Sequence, residues 1–211
     1  MSAMVRLAGR LDLGDGTRLV WSVADGRRGR RWRATTTHDG SLTGGLLLEV
    51  GLDGRPARLE LSTVEGLLTL HPESAGHSLH GNVVTVDGVR HLAFAWSIDH
   101  ALSIDGEPVA DAVTAHRLAG SVAVGEGRRV PVVAVERYLG VREDERRFVR
   151  VSTTDWRIEA GDKSQILSIE DRGLLLSGEA GQRWPLEIEP PGSPAHGGQA
   201  VDKPAPNAHV R

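Results

Sequence analysis

The stretch Asn82-Val83-Val84-Thr85-Val86, which ends on Asp87-Gly88, decides the fold. Its β-branched run suits a pleated, half-buried surface, and the Asp-Gly pair readily supplies the positive φ angles of a tight hairpin turn. The same punctuation recurs at Asp15-Gly16, Asp25-Gly26, Asp39-Gly40, Asp53-Gly54 and Asp105-Gly106, mostly between short apolar-rich runs. Between the turns the period is close to two, as in Arg58-Leu59-Glu60-Leu61-Ser62, so about fourteen strands can be drawn.

A long antiparallel ladder leaves two unpaired edges unless it rolls or closes, so the reading is all-β with a curved antiparallel sheet. Gly44-Gly45 and Gly66 fall where bulges or bends would tighten the curve. At most one short helix is expected, inside Glu107 to Leu118, where Pro108 leads into Ala, Val and His. The charge run Arg142 to Arg147 reads as a solvated turn before a strand over Phe148 to Ser152.

The chain has 211 residues, 39% of them hydrophobic and 25% charged, enough for one well-buried core. Residues 1–189 are expected to form a single domain. From Pro190 the composition shifts: 190–211 hold five of the ten prolines and no aromatic, which reads as a flexible tail. Only eight residues are aromatic, five of them Trp, so the core must be mostly aliphatic.

The net charge of −3 gives no general attraction to nucleic acid, and nucleic acid is not an expected partner. The absence of Cys excludes disulfides and thiolate metal sites and fits a reducing compartment. No run approaches a membrane-spanning length, and residues 1–16 hold no unbroken apolar segment for export. Cytoplasmic residence is the expectation.

Site chemistry is sparse. There is no G-x-S-x-G elbow, phosphate-binding loop, dinucleotide fingerprint or H-E-x-x-H, and no catalytic residue and no cofactor is assigned. His71, Glu73, His77 and His80 lie within ten residues and could enclose zinc, but the spacing is not diagnostic and the surrounding Gly, Ser and Pro read as a mobile loop, so no metal is assigned. His91, Asp99, His100 and His116 read as locally hydrogen-bonded groups.

Arg27-Arg28-Gly29-Arg30-Arg31-Trp32-Arg33 is the one basic cluster, and it follows a turn into a strand. An exposed Arg face, an anionic ligand or headgroup, and nucleic acid all stay open for it. The five tryptophans, Trp21, Trp32, Trp96, Trp156 and Trp184, fill the core or line the mouth of a ligand cavity. Alternation places Leu92, Phe94, Trp96 and Ile98 on one face.

Several landmarks together carry a resemblance. Leu79-His80-Gly81 precedes the Val84 to Asp87 strand; Glu107-Pro108 closes on His116-Arg117-Leu118; Val130 to Val141 reads as a strand pair; Ile169 to Leu176 is followed by Arg183-Trp184-Pro185. In this order, over residues 17–188, the chain resembles the bacterial family of glycolipid-binding proteins, a domain of unknown function. It departs from that pattern at Ala112-Val113-Thr114, His116-Arg117 and Ser177-Gly178.

The resemblance implies a spiral β-roll or half-open barrel similar to the lipoprotein-localisation factors, with an apolar interior able to hold acyl chains. Of the family's polar positions only Arg117 is carried over. The expected function is non-enzymatic binding of a lipid or glycolipid, with Trp96, Arg117, Trp32 and Phe94 as ligand-binding residues. A fully packed roll acting as an interaction or structural module is the alternative, and a hydrolase or isomerase built on dispersed carboxylates and His is the third. Oligomeric state is left open.

Overall fold

The computed structural model describes residues 6–12, 15–73 and 76–177; the expected tail at 190–211 and Trp184 lie outside them. Strand makes up 64% of the described residues, so the all-β reading holds, and these residues form fourteen strands and one helix. An eight-stranded sheet runs as a meander through β1 (Arg6–Asp12), β2 (Thr17–Gly26), β3 (Gly29–His38), β4 (Ser41–Val50), β5 (Pro56–Thr63), β6 (Gly66–Pro72), β7 (Ser78–Thr85) and β8 (Gly88–Ala95). Every neighbouring pair in it is antiparallel.

The chain then enters β9 (Ala101–Ile104), helix α1 (Val109–Leu118), β10 (Gly127–Val135), β11 (Val141–Arg150), β12 (Asp155–Ala160), β13 (Lys163–Ile169) and β14 (Leu175–Ser177). These strands form a six-stranded sheet in the order β14-β13-β12-β11-β10-β9, which curls into a half-barrel.

The Asp-Gly pairs at residues 39, 53 and 87 occupy hairpin turns, and Asp25-Gly26 ends β2 just before its turn. Asp105-Gly106 does not make a hairpin: it leads from β9 into α1, and β9 pairs with β10 in parallel. Parallel neighbours cannot be joined by a tight turn and need a crossover, which α1 supplies. Arg142 to Arg147, expected as a solvated turn, is part of β11. Its charged side chains pair across the strand faces, so charge density alone did not mark a loop.

Inward-facing residues alternate along the large sheet, as in Leu19, Trp21 and Val23 of β2 or Leu46, Leu48 and Val50 of β4. Together with Phe148, Trp156, Ile158 and Leu167 of the half-barrel they make one continuous core. Helix α1 lies inside it. Eight of its ten residues are buried, it packs against β9 and β13, and Arg117 near its end touches the β4–β5 turn at Gly54. Ala110, Ala112 and Ala115 allow that close approach, and Pro108 pre-sets the backbone angle at its start.

A register shift at Thr36/Thr37 leaves Thr43 without a partner next to Gly44-Gly45, so the bend lies where the paired glycines pointed. Gly66 has φ +152°, and a Cβ there would stand 2.0 Å from the Val84 carbonyl. Gly88, with φ +126°, has open space around it. Both should lose stability on substitution by Ala through the backbone alone. Gly66→Ala is expected to cost about 1–2 kcal/mol more than Gly88→Ala in urea unfolding, because only its methyl meets backbone.

Candidate functional site

The meander puts the β3–β4, β5–β6 and β7–β8 turns at one end of the molecule and the β2–β3, β4–β5 and β6–β7 turns at the other. At the first end the Asp105–Pro108 connection separates two clefts, both touched by Ile104 to Glu107. One cleft, of about 540 Å³, lies over the large sheet. Its floor is the buried, inward-facing set Leu19, Ala34, Leu46 and Leu61, and its rim includes Tyr138 of the β10–β11 turn. The bare backbone of Gly44-Gly45 widens it; a Cβ on Gly45 would come within 2.8 Å of the Ser62 hydroxyl oxygen.

The other cleft, of about 700 Å³, opens on the half-barrel side and is lined by Arg146, Ile158, Lys163 and Gln165. Beneath it is a buried polar cluster. Asp111 on α1 is fully buried; its Oδ2 accepts from Arg146 Nη1 at 3.0 Å and from Gln165 Nε2 at 2.8 Å. The Ser103 hydroxyl of β9 favours the charged form of this carboxyl, although its geometry falls short of a hydrogen bond.

Four buried atoms in this small region have no hydrogen-bond partner among the described residues: Asp111 Oδ1, Ser103 Oγ, Arg146 Nε and Glu107 Oε2. Buried polar atoms are nearly always paired, so this concentration calls for partners such as water or a ligand entering from the cleft. Burial pushes the Glu107 carboxyl up to about 7. Burial likewise raises Asp111 to about 6, against the opposing pull of Arg146, Ser103 and Gln165. At neutral pH Glu107 therefore exchanges readily between donor and acceptor.

The residues expected to bind ligand lie elsewhere. Trp32 is buried in the core with its ring 6.1 Å from that of Trp21, and Phe94 is half-buried against the same core. Trp96 is buried just past β8 at the opposite end, stacked 5.4 Å from His100. Arg117 donates from Nη1 to the Ile98 carbonyl at 3.0 Å and from Nη2 to the His100 carbonyl at 3.2 Å. Arg117 on α1 is thus bound to the turn that follows Trp96. Ile98 does not share the face of Leu92 and Trp96, because the strand ends at Ala95 and Ile98 sits in the following turn, 62% exposed.

Two of the histidines expected in a loop lie in strands. His71 and His80 lie opposite each other on β6 and β7, and His80 Nε2 pairs with Glu73 Oε1 at 2.9 Å. Among the described residues no three such groups converge where they could hold a metal ion. Among them, too, no helix is long and apolar enough to cross a membrane.

Sequence reading missed Glu107, Asp111, Arg146 and Gln165. The signal for Asp111 was there: one carboxylate inside the small apolar run Val109-Ala110-Asp111-Ala112-Val113 has to find a partner once buried. Nothing local pointed to Arg146, one of three arginines within Arg142 to Arg147.

The fold and clefts define a two-sheet β-protein with an internal helix and a divided end cleft. No family profile and no curated protein matches the chain. Among solved structures it is similar to a DUF1089 family protein from Pseudomonas aeruginosa, with 16% identity, a TM-score of 0.51, and coverage of 87% of this chain and 92% of that one. That likeness is one of fold.

Both raised carboxyls bind protons more tightly folded than unfolded, where the ordinary values are 4.5 for Glu107 and 3.8 for Asp111. Their stabilising contribution is complete below those values and is lost as pH rises through about 6 and about 7. Unfolding free energy should therefore fall across this window. Glu107→Gln should flatten its upper part and stabilise the protein at mildly alkaline pH by up to about 3 kcal/mol, read by urea titration at a series of pH values.

Proposed function

We propose that this protein binds an amphipathic ligand, a lipid or glycolipid, without altering it chemically. Its apolar part would lie over the floor of Leu19, Ala34, Leu46 and Leu61, and its polar end against Glu107, Arg146 and Lys163. One observation supports this above all: an apolar cleft and a polar cleft meet at the Ile104–Glu107 connection, where buried polar atoms stand without partners. Ligand sites commonly pair a mostly apolar wall with a few converging polar groups. A site around Trp96, Arg117, Trp32 and Phe94 is the rival location, and a headgroup held by Arg117 would have to displace its bonds to the Ile98 and His100 carbonyls.

A second reading rests on the same polar cluster. A carboxyl with a pKa near neutrality, open to a cleft, suits general acid–base work, so a hydrolase or isomerase with Glu107 as the proton carrier is the enzymatic alternative. It predicts turnover of a bound compound that Glu107→Gln abolishes while binding persists.

Native mass spectrometry of protein purified from its own host should reveal a co-purifying lipid. In titrations with that lipid, Ala34→Phe, which fills the cleft floor, is expected to weaken binding at least tenfold, about 1.4 kcal/mol. Arg117→Ala should leave affinity unchanged. The reverse pattern moves the site to the Trp96 end, and no lipid with no amphiphile binding leaves the packed interaction module as the function.

A further inference from the structure

At the end opposite the clefts, three turns stand side by side. Gly29 lies so close to the start of the β4–β5 turn that a Cβ on it would reach 2.0 Å from the Val50 carbonyl and 2.7 Å from the Gly51 backbone. The β2–β3 turn, Arg27-Arg28, is therefore next to Leu52-Asp53. A groove of about 290 Å³ joins Gly51, Asp53 and Arg55 to Trp96, Ser97 and Ile98, adding the third turn.

Two features recur on these tips. Leu52 is 81% and Ile98 62% exposed, although each stands on a turn where a polar residue would cost nothing. Arg27 and Arg28 are exposed and form no ion pair among the described residues. Their neighbours are matched: Arg30 with Asp25, Arg31 with Glu49, Arg55 with Asp53, Arg128 with Asp99.

We infer that the Arg27-Arg28, Leu52 and Ile98 tips form a docking surface for an anionic phospholipid bilayer. Aliphatic tips flanked by arginines match an interface whose outer layer is anionic and whose boundary just beneath is apolar. Nucleic acid fits less well, since recognition of single strands relies on exposed aromatic rings for stacking, while the aromatic residue here, Trp96, is buried against His100. The surface lies at the far end from the two clefts and stands whether or not they take a lipid.

Co-sedimentation of the full chain with vesicles tests this. Binding is expected to vesicles of phosphatidylcholine mixed with an equal part of phosphatidylglycerol and not to phosphatidylcholine alone, and it should weaken with added salt. Arg27→Glu together with Arg28→Glu should lower partitioning by at least roughly thirtyfold, at about a fivefold effect per arginine near an anionic surface. Leu52→Asp should also weaken it. Val86→Asp, a fully exposed turn residue at the opposite end, should not. Unchanged thermal midpoints for these turn variants confirm that each is folded. Equal binding to both vesicle types, no vesicle binding, indifference to the arginine substitutions, or binding to a single-stranded oligonucleotide in place of vesicles would each overturn the assignment.

Discussion

The pairing of Asp111 with Arg146 is the interaction on which the seating of helix α1 against the six-stranded sheet depends. Taking a carboxylate out of water costs several kcal/mol unless a cation and hydrogen bonds meet it, and Asp111 is the one acidic residue of a helix buried on nearly every side. Its partners come from two different strands, Arg146 of β11 and Gln165 of β13. A helix held by one carboxylate to two strands can neither rotate nor slide along the half-barrel without breaking both contacts. Its other end is tied as firmly: Arg150 donates to the Ala119 and Val122 carbonyls just past the helix, and Arg117 to those of Ile98 and His100. With both ends fixed, the Asp105–Pro108 connection is fixed too, and that connection is the wall between the two clefts.

Much of the fold was legible because it is local. Asp-Gly turns and period-two runs are short-range signals that carried the antiparallel ladder, and Pro108 followed by Ala and Val marked the one short helix, which lies at Val109–Leu118. What failed was long-range. The parallel β9–β10 pair joins Ala101 to Val132, and no neighbouring residue carries that information. β9 and the second half of β10 are buried on both faces, as parallel strands are. Their runs, Ala101-Leu102-Ser103-Ile104 and Val132-Val133-Ala134-Val135, therefore show no alternation to reveal them. The charge run of β11 misled for a related reason. Six charged residues in a row look solvated until one of them, Arg146, is turned inward by the strand's period and paired with a helix carboxylate.

The site was less legible than the fold. Trp96 drew attention as a large ring in an apolar run and Arg117 through the family resemblance, and such groups serve as often to close a structure as to open one. Here Trp96 stacks on His100 while the Ser97 amide donates to His100 Nδ1 at 3.0 Å, so the loop satisfies itself. The polar cleft combines residues from β9, the β9–α1 connection, α1, β11 and β13, spread from Ser103 to Gln165, and only the tertiary structure brings them together.

The choice posed by the sequence, between an open roll and a packed one, dissolves once the helix is in place. Trp21, Trp32, Phe148 and Trp156 are all buried in one core with α1 running through it, so the interior is filled along most of its length. Two clefts, of about 540 and 700 Å³, lie at the end where the helix has not begun. There, five residues from Ile104 to Pro108 must cross from an edge strand into the core, and an irregular connection cannot fill the gap between two sheets as a helix does. A cleft at that position follows from the topology. Its depth is set by the point at which Pro108 starts the helix, and its chemistry by the polar groups that a strand-to-helix connection brings inward: Glu107 on the connection itself, Asp111 in the first turn of the helix, and Arg146 waiting on the strand beneath.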